Sequence, residues 1–325
     1  MYPFDAAAPS GLHVLVRQLV EALLAQGQPV RLVLAKPDGL GGMLDGVGRE
    51  SYPGLKTQLD VSWLPSESFA PEARHQLSFA FERLAEDTAR WLCFGVEASA
   101  FVGNVVARQA GTPCATVVVA RDVLGRLMLH PDEIGATLTR SRHVFCANPG
   151  IIDLLRAFFV PEIAALVDQR RLAIVRPTCT ASAAVQIDVA DHVCTTGVLG
   201  LFEDLGELTE RVAAEMRATQ ARRWLHVGTM HPRIAGRLAA ALGVRGLAAH
   251  FDATGRCGAV DHERYVRSSL VLLKPRGELD TGLSLTEAGR WGLRVSLPAG
   301  AADSTDAHGL DELDAVGFAT RLLAP

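Results

Sequence analysis

The stretch PSGLHVLVRQLVEALLAQGQPVRLVLA (residues 9–35) combines a turn, an amphipathic helix and an apolar strand. Leucine and valine recur along one helical face over residues 11–26, and Ser10 is a candidate N-cap. The apolar run at 30–35 then predicts a buried strand. In an α/β domain a strand normally precedes such a Gly-containing turn, yet only residues 1–8 stand before it here. The pattern therefore predicts an α/β fold and leaves open where the first strand lies.

The same alternation continues outward along the chain. Further strands are predicted at 59–64, 91–95, 114–120, 143–147, 192–200, 223–228, 247–251, 270–275 and 293–298. Helices are predicted between them, at 72–90, 97–109, 122–139, 150–159, 205–219, 234–242, 261–268 and 283–291. The small-residue stretch LAIVRPTCTASAAV (172–185) indicates an interdomain linker. Short apolar strands that alternate with helices are typical of parallel sheets, so we expect two tandem, doubly wound, Rossmann-like domains, 1–175 and 176–325, that face a cleft.

Composition excludes several classes of protein. Of 325 residues, 49% are hydrophobic and 21% charged, which is enough apolar material for two packed cores. Lys plus Arg is 32 against 36 for Asp plus Glu, so nothing indicates nucleic-acid binding. We find neither a signal peptide nor a transmembrane run, and therefore predict a cytoplasmic protein. The six cysteines form no C-x-x-C pair and the histidines no metal motif, which favours buried thiols and no metal site.

The run YVRSSLVLLKPRGELDTGLSLTEAGRWGLRVSLPAG (265–300) carries a family resemblance. It is similar to the segment of GT-B glycosyltransferases, family 4 in particular, in which a strand ends in proline and a helix begins near a Glu-Ala pair. Pro275, Gly282 and Glu287 match that pattern. RRWLHVGTMHPRIAGRLAAALGV and the opening stretch resemble two other family segments. The resemblance covers nearly the whole chain, which is divergent and trimmed at both ends relative to the family, without the first strand or the long returning C-terminal helix.

This resemblance implies roles for individual residues. Glu287 takes the place of the glutamate that binds the ribose of a nucleotide-sugar. Glu278 is the acid expected to face the sugar, although it lies nine positions before Glu287 rather than eight. Asp122 follows a strand where the family has a His-Asp pair. Gly11 and Gly282 match glycines of turns that hold phosphate, where backbone N–H groups meet the anion.

The expected diphosphate site departs most from the family. The segment TTGVLGLFEDLGELTER (195–211) lacks the Arg and Lys pair that neutralises the diphosphate. Glu203, Asp204 and Glu207 put negative charge in their place, and like charges facing a diphosphate are costly in a dry site. The candidate substitute cations are Arg276, Lys274 and Arg233.

Two functions remain open from the sequence. The first is a glycosyltransferase that moves a sugar from a UDP- or GDP-sugar to a small-molecule, glycan or lipid-linked acceptor. The resemblance implies retention of configuration, no metal and no permanently bound cofactor. The second is a catalytically degenerate GT-B-like protein that acts as a partner or scaffold for an active transferase. A homo- or hetero-oligomer is compatible with either, and a minor alternative is a sugar-nucleotide epimerase on the same two-domain frame.

Overall fold

A computed structural model describes most of the chain and separates it into two compact units. The first unit comprises residues 12–177 and 309–325, and the second comprises residues 178–308. The described ranges are 11–36, 59–65, 90–95, 112–118, 131–147, 149–178, 189–200, 203–255, 257–275, 283–298 and 310–324. No helix within these ranges is both long enough and apolar enough to cross a membrane.

The first unit alternates strands and helices, as its sequence predicts. Its described strands are β1 (Val30–Lys36), β2 (Leu59–Pro65), β3 (Trp91–Phe94), β4 (Cys114–Val118), β5 (His143–Cys146), β6 (Leu172–Val175) and β12 (Glu312–Leu313). Its described helices are α1 (Gly11–Ala25), α2 (Pro131–Arg140), α3 (Pro149–Phe158), α4 (Val160–Asp168) and α9 (Ala315–Leu323). The predicted helices at 72–90 and 97–109 lie outside the described residues.

Five strands of the first unit form one parallel sheet in the order β12-β6-β5-β4-β3. Among the described residues, β1 and β2 pair in parallel only with each other. Helix α1 buries Leu15 and Leu19 completely, which is the apolar face that its sequence predicts. Residues 1–10, on which the question of a preceding strand depends, lie outside the described ranges.

The second unit contains one sheet and the helices that pack on it. Its strands are β7 (His192–Leu199), β8 (Arg223–Met230), β9 (Phe251–Ala253), β10 (Ser269–Leu273) and β11 (Val295–Ser296). Its described helices are α5 (Leu205–Thr219), α6 (Ala235–Val244), α7 (Ala259–Arg267) and α8 (Leu283–Trp291), with short 3-10 turns at Pro232–Ile234 and Ala248–His250. The sheet order is β11-β10-β7-β8-β9, and every pair is parallel.

Each face of the second sheet has its own hydrophobic core. On one face, residues of α5 and α6 pack against Val193, Trp224 and Leu273. On the other face, Val266 of α7 and Ala288 of α8 pack against Cys194 and neighbouring strand residues. Helices on both faces of a parallel sheet make this a doubly wound, Rossmann-like unit.

Three details differ from the sequence predictions. The stretch assigned to a linker begins with a strand, because Leu172–Val175 is buried at every position and pairs with β5. The strand predicted at 247–251 is mostly the turn Ala248–His250, and β9 begins only at Phe251.

The third difference concerns residues 309–325, which the sequence pattern assigned to the second domain. They return to the first unit, where Leu313 pairs with Val175. Phe318 of α9 is fully buried with its ring centroid 4.7 Å from that of Phe145, in an edge-to-face arrangement. Burial of this aromatic pair stabilises the return, which depends on a contact between distant residues that the resemblance does not predict.

Candidate functional site

The second sheet changes winding direction between β7 and β10. From β7 the chain proceeds to β8 and β9 on one side, and then crosses to β10 and β11 on the other. Helices α5 and α8, which follow β7 and β10, consequently lie on opposite faces of the sheet. The carboxyl ends of two such strands border a crevice where open α/β sheets bind their ligands.

Lys274 lies at this switch point, directly after the last residue of β10. Its side chain is only 4% exposed, and among the described residues it is the one lysine or arginine classed as buried. Its Nζ donates a hydrogen bond of 2.7 Å to Oγ of Ser284, the second residue of α8. A buried ammonium group is costly unless it is compensated, so its position calls for a structural or functional reason.

Arg211 of α5 fixes the backbone around Lys274. Its Nη1 donates to the carbonyl oxygen of Lys274, and its Nη2 donates to that of Ser296, both at 2.9 Å. These bonds tie the ends of β10 and β11 to the helix on the opposite face from α8. The lysine therefore projects from a rigid support.

Thr196 of β7 is the second polar group at the switch point. Cys194 and Leu272 are paired residues of β7 and β10, and Thr196 and Lys274 each lie two positions beyond them. Because side chains alternate along a strand, both point to the face that carries α7 and α8. Thr196 is 2% exposed, and its buried Oγ1 has no hydrogen-bond partner within the described part of the chain.

His262 of α7 belongs to the same cluster. Burial lowers the pKa of His262, and the positive charge of Lys274 lowers it further, while Glu263 acts in the opposite direction. His262 lies one helical turn before Val266, which packs on the same face of the sheet as α8. A neutral imidazole is therefore the favoured form beside the lysine.

The acidic segment at the start of α5 has a structural role. Asp204 is the N-cap residue, and its Oδ1 accepts a hydrogen bond of 3.0 Å from the backbone N–H of Glu207. Glu207 lies in the first turn, where a negative charge stabilises the helix dipole. Glu203 is 3% exposed just before them. The N-terminus of α5 is thus occupied by the chain's own carboxylates.

Comparisons with known proteins rest on structure alone. No family model matches the chain, and no curated protein matches it. Sucrose-phosphate synthase from Thermosynechococcus elongatus is similar in structure, with a TM-score of 0.64 at 17% identity over 97% of this chain and 86% of that one. HepE of Anabaena, solved with UDP and glucose, gives 0.60 at 12% identity, over 98% and 87%. UDP-N-acetylglucosamine 2-epimerase from Rickettsia bellii gives 0.50 at 10% identity, over 87% and 74%.

These matches span nearly all of both units. The chain has the GT-B fold. Two Rossmann-like units, predicted from the alternation of strands and helices, are thereby confirmed. At sequence identities of 10–17%, the similarity establishes the fold and no property beyond it.

Within this GT-B chain, the structure describes some of the predicted site residues. Lys274 is buried at the switch point, as described above. Arg233 is exposed in the turn after β8. Glu287 is half-buried on α8, with its Oε2 atom buried. Gly11 is the first residue of α1.

The remaining predicted site residues lie outside the described ranges, namely Asp122, Arg276, Glu278 and Gly282. Sequence reasoning also missed three polar residues of the second unit that accompany Lys274 on the same face of the sheet: Thr196, Ser284 and His262. A signal existed for Thr196, since a threonine pair in an apolar strand places one hydroxyl on each face of the sheet. His262 occurs among charged residues, and nothing in that pattern indicates burial. No group of three His, Cys, Asp or Glu side chains suited to a metal ion occurs among the described residues.

Proposed function

We propose that this protein is a glycosyltransferase that transfers a sugar from a nucleotide-sugar to an acceptor, with retention of configuration and without a metal ion. The observation that carries the proposal is the buried Lys274 at the switch point of the second sheet, beside the start of α8. The fold comparison supports it, because HepE was solved with UDP and glucose. UDP is accordingly our first choice of donor nucleotide, and GDP our second.

In this proposal Lys274 and the N-terminus of α8 hold the donor diphosphate. The lysine contributes a full positive charge, and the helix start contributes partial positive charge from backbone N–H groups. Both interactions strengthen as negative charge develops on the departing diphosphate, which is what lowers the barrier to transfer. The hydroxyl of Thr196 would donate to a phosphate oxygen, and this gives its buried Oγ1 a partner.

Glu287 would accept hydrogen bonds from the ribose hydroxyls of the donor. Its half-buried position on α8, three residues after Ser284, suits a group that contacts a ligand held at the helix start. The resemblance assigns the remaining roles, which we retain as proposals. Glu278 and Asp122 would contact the transferred sugar and acceptor, and Gly11, Gly282, Arg276 and Arg233 would contact the phosphates.

Nucleotide binding is the first measurement that tests the proposal. The melting temperature of the purified protein would be recorded with UDP, GDP, ADP, TDP and CMP. A ligand that binds the folded state at a hundredfold excess over its Kd stabilises the protein by roughly 2.7 kcal/mol. We expect one nucleoside diphosphate to raise the melting temperature, and Lys274→Met and Glu287→Ala to abolish this rise.

Arg245→Ala is the matched control, because Arg245 forms an exposed salt bridge with Glu210 on the same unit. It should leave the nucleotide response intact. If no nucleotide shifts the melting temperature of well-folded protein, the proposal is wrong and the degenerate partner becomes the better hypothesis. If a nucleotide binds, product analysis with the matching sugar-nucleotide separates transfer from epimerisation, and persistence of transfer in EDTA tests independence from metal.

Other features of the protein remain proposals at this stage. The first unit would bind the acceptor, a small molecule, a glycan or a lipid-linked sugar, and the second unit would bind the donor. A cytoplasmic location and self-association or association with another transferase remain predictions from the sequence. Size-exclusion chromatography with light scattering would measure the oligomeric state directly.

A further inference from the structure

Two cysteines of the first unit contact each other from diagonal positions on neighbouring strands. In the parallel register of β3 and β4, Trp91 pairs with Cys114 and Cys93 pairs with Thr116. Residues two apart on a strand share a face, so Cys93 and Cys114 point to the same side of the sheet. Their Sγ atoms are 3.8 Å apart. The two residues are 21 positions apart in the sequence, so it is the fold that brings their thiols into contact.

The two thiols differ in accessibility. Cys93 is 4% exposed, whereas Cys114 is partly exposed at the first position of β4. Hydrogen bonding with Cys93 lowers the pKa of Cys114, although burial opposes this shift. Other thiols behave differently, since burial raises the pKa of Cys146 to about 12 and also raises that of Cys257. Among the described cysteines, Cys114 thus combines partial exposure with a lowered pKa, which favours reaction as a thiolate.

We propose that Cys93 and Cys114 form a redox-active dithiol that closes to a disulfide by exchange with a small disulfide such as oxidised glutathione. The Cys114 thiolate attacks one sulfur of glutathione disulfide, which gives a mixed disulfide and releases one glutathione thiolate. Cys93, after losing its proton, attacks Sγ of Cys114 and releases the second glutathione. Two protein thiols are oxidised to one disulfide, and one glutathione disulfide is reduced to two thiols.

Closure requires movement of the backbone as well as of the side chains. A disulfide needs its sulfurs roughly 2 Å apart and its Cα atoms within about 7 Å. Because Cys93 and Cys114 are offset by two residues in the register, their positions are diagonal and about 7–8 Å apart, so β3 must shift towards β4 by roughly 1 Å. Within the described part of the chain β3 is the last strand of its sheet and pairs only with β4. A bond between the two strands would anchor this edge. The inference is independent of the sugar-transfer proposal, because neither cysteine lies in the unit that holds the proposed donor site.

Intact-mass measurement tests the inference directly. The fully reduced protein would be incubated with oxidised glutathione, unfolded in acid with a thiol-blocking reagent, and weighed. We expect two of the six thiols to escape blocking, with no retained glutathione. Peptide mapping should then find one cross-link, between the peptides that contain Cys93 and Cys114. A reductant should restore all six thiols.

Single substitutions distinguish the steps. Cys93→Ala should stop at the mixed disulfide and retain one glutathione on Cys114, whereas Cys114→Ala should remain fully reduced. Cys146→Ala, which removes a fully buried thiol of β5, is the control and should respond as the unaltered protein does. Retention of all six thiols by the unaltered protein, or a cross-link between other cysteines, would overturn the proposal without the need for any variant.

Discussion

Two consecutive threonines on β7 have the same chemistry and opposite surroundings. Thr195 and Thr196 are 0% and 2% exposed, and they point to opposite faces of the second sheet. Oγ1 of Thr195 accepts from Nε1 of Trp224 at 2.9 Å and lies 3.0 Å from Nδ1 of His226. Oγ1 of Thr196 has no such partner among the described residues.

The difference separates a structural site from a candidate binding site. Nε2 of His226 donates to the carbonyl oxygen of Thr229 at 3.2 Å, since a carbonyl can only accept. Nδ1 of the neutral ring is therefore an acceptor, and the hydroxyl of Thr195 donates to it. Every polar atom of this network is satisfied within the protein, as expected for a part of the core. On the opposite face, Thr196 lies near Lys274 and the start of α8. An unsatisfied buried hydroxyl beside a buried cation is the arrangement that a ligand can complete.

The largest expected effect comes from a substitution between β7 and β8, the two strands that the Thr195 network joins. Gly228 has φ near +152°, and a Cβ atom there would lie 1.9 Å from the carbonyl oxygen of Gly197. Gly228→Ala should lower the free energy of unfolding by about 3 kcal/mol or more, because the backbone of β7 or β8 must move. Urea denaturation measures the effect.

Gly236→Ala is the matched control for this substitution, since nothing lies within 4 Å of the added methyl group. It should leave the stability unchanged or raise it by up to about 1 kcal/mol, because alanine favours a helix. Equal stability of the two variants would mean that the approach of Gly228 to Gly197 does not constrain the sheet.

Lowering the pH should decrease the free energy of unfolding through His226, which belongs to the Thr195 network. Burial lowers the pKa of His226 from 6.5 to about 4, although its hydrogen-bond partners oppose the shift. The unfolded chain therefore binds a proton as the pH falls below 6.5 while the folded protein does not. The contribution of the neutral ring to the free energy of unfolding is fully present above pH 6.5. It is lost progressively as the pH falls to about 4, and the total loss is on the order of 3 kcal/mol.

The measurement is the urea midpoint between pH 7 and pH 4.5 for the unaltered protein and for His226→Asn, whose amide does not titrate in this range. We expect a shallower pH dependence in the variant. His143 of the first unit, whose pKa burial and nearby arginines lower to about 4, adds a response that is common to both proteins. Identical slopes would exclude His226 as a source of acid sensitivity.

Substitution of each threonine directly tests whether Thr195 has a structural role and Thr196 a role in binding. Thr195→Val leaves the Trp224 N–H without its acceptor and should lower the free energy of unfolding by about 1–3 kcal/mol. Thr196→Val removes a hydroxyl that has no described partner, and should change stability by less than about 0.5 kcal/mol. In the nucleotide assay the order reverses, and Thr196→Val should weaken binding by roughly a factor of ten. Similar losses of stability in both variants would remove the distinction.

The smallest expected effect comes from the N-cap of α5, the helix that follows β7. Asp204→Ala removes the N-cap of α5 and should lower the free energy of unfolding by about 1 kcal/mol. Because the carboxylate is also a negative charge near the proposed diphosphate, nucleotide binding should stay equal or become tighter. Denaturation and nucleotide titration of the same variant check both parts. Weaker binding would indicate that this acid takes part in the site.

Much of the fold is predictable from the sequence because its elements are strongly periodic. Helices α5 and α8 coincide with their predicted bounds, since each has a regular apolar face and clear ends. The prediction failed for Leu172–Val175, where a short apolar strand next to small residues was taken for a linker. It failed again for α9, whose place depends on the distant contact between Phe318 and Phe145.

The candidate site was less predictable than the fold. Lys274 was among the predicted cations, but its burial and its bond to Ser284 depend on how β10 and α8 pack. The acids after β7 were expected to oppose a diphosphate, whereas Asp204 and Glu207 prove to begin a helix. Sequence reveals which charges are present, and tertiary structure determines which of them are satisfied by the protein itself.

The return of β12 and α9 to the first unit has a consequence for synthesis on the ribosome. Residues 178–308 leave the ribosome before the segment that adds β12 beside β6 and buries Phe318. The second unit can therefore fold while one edge of the first sheet is still uncovered. Nascent chains that have exposed residue 308 but not β12 and α9 should show a protease-resistant second unit and a first unit that is cut readily. Chains that have exposed α9 as well should protect both units.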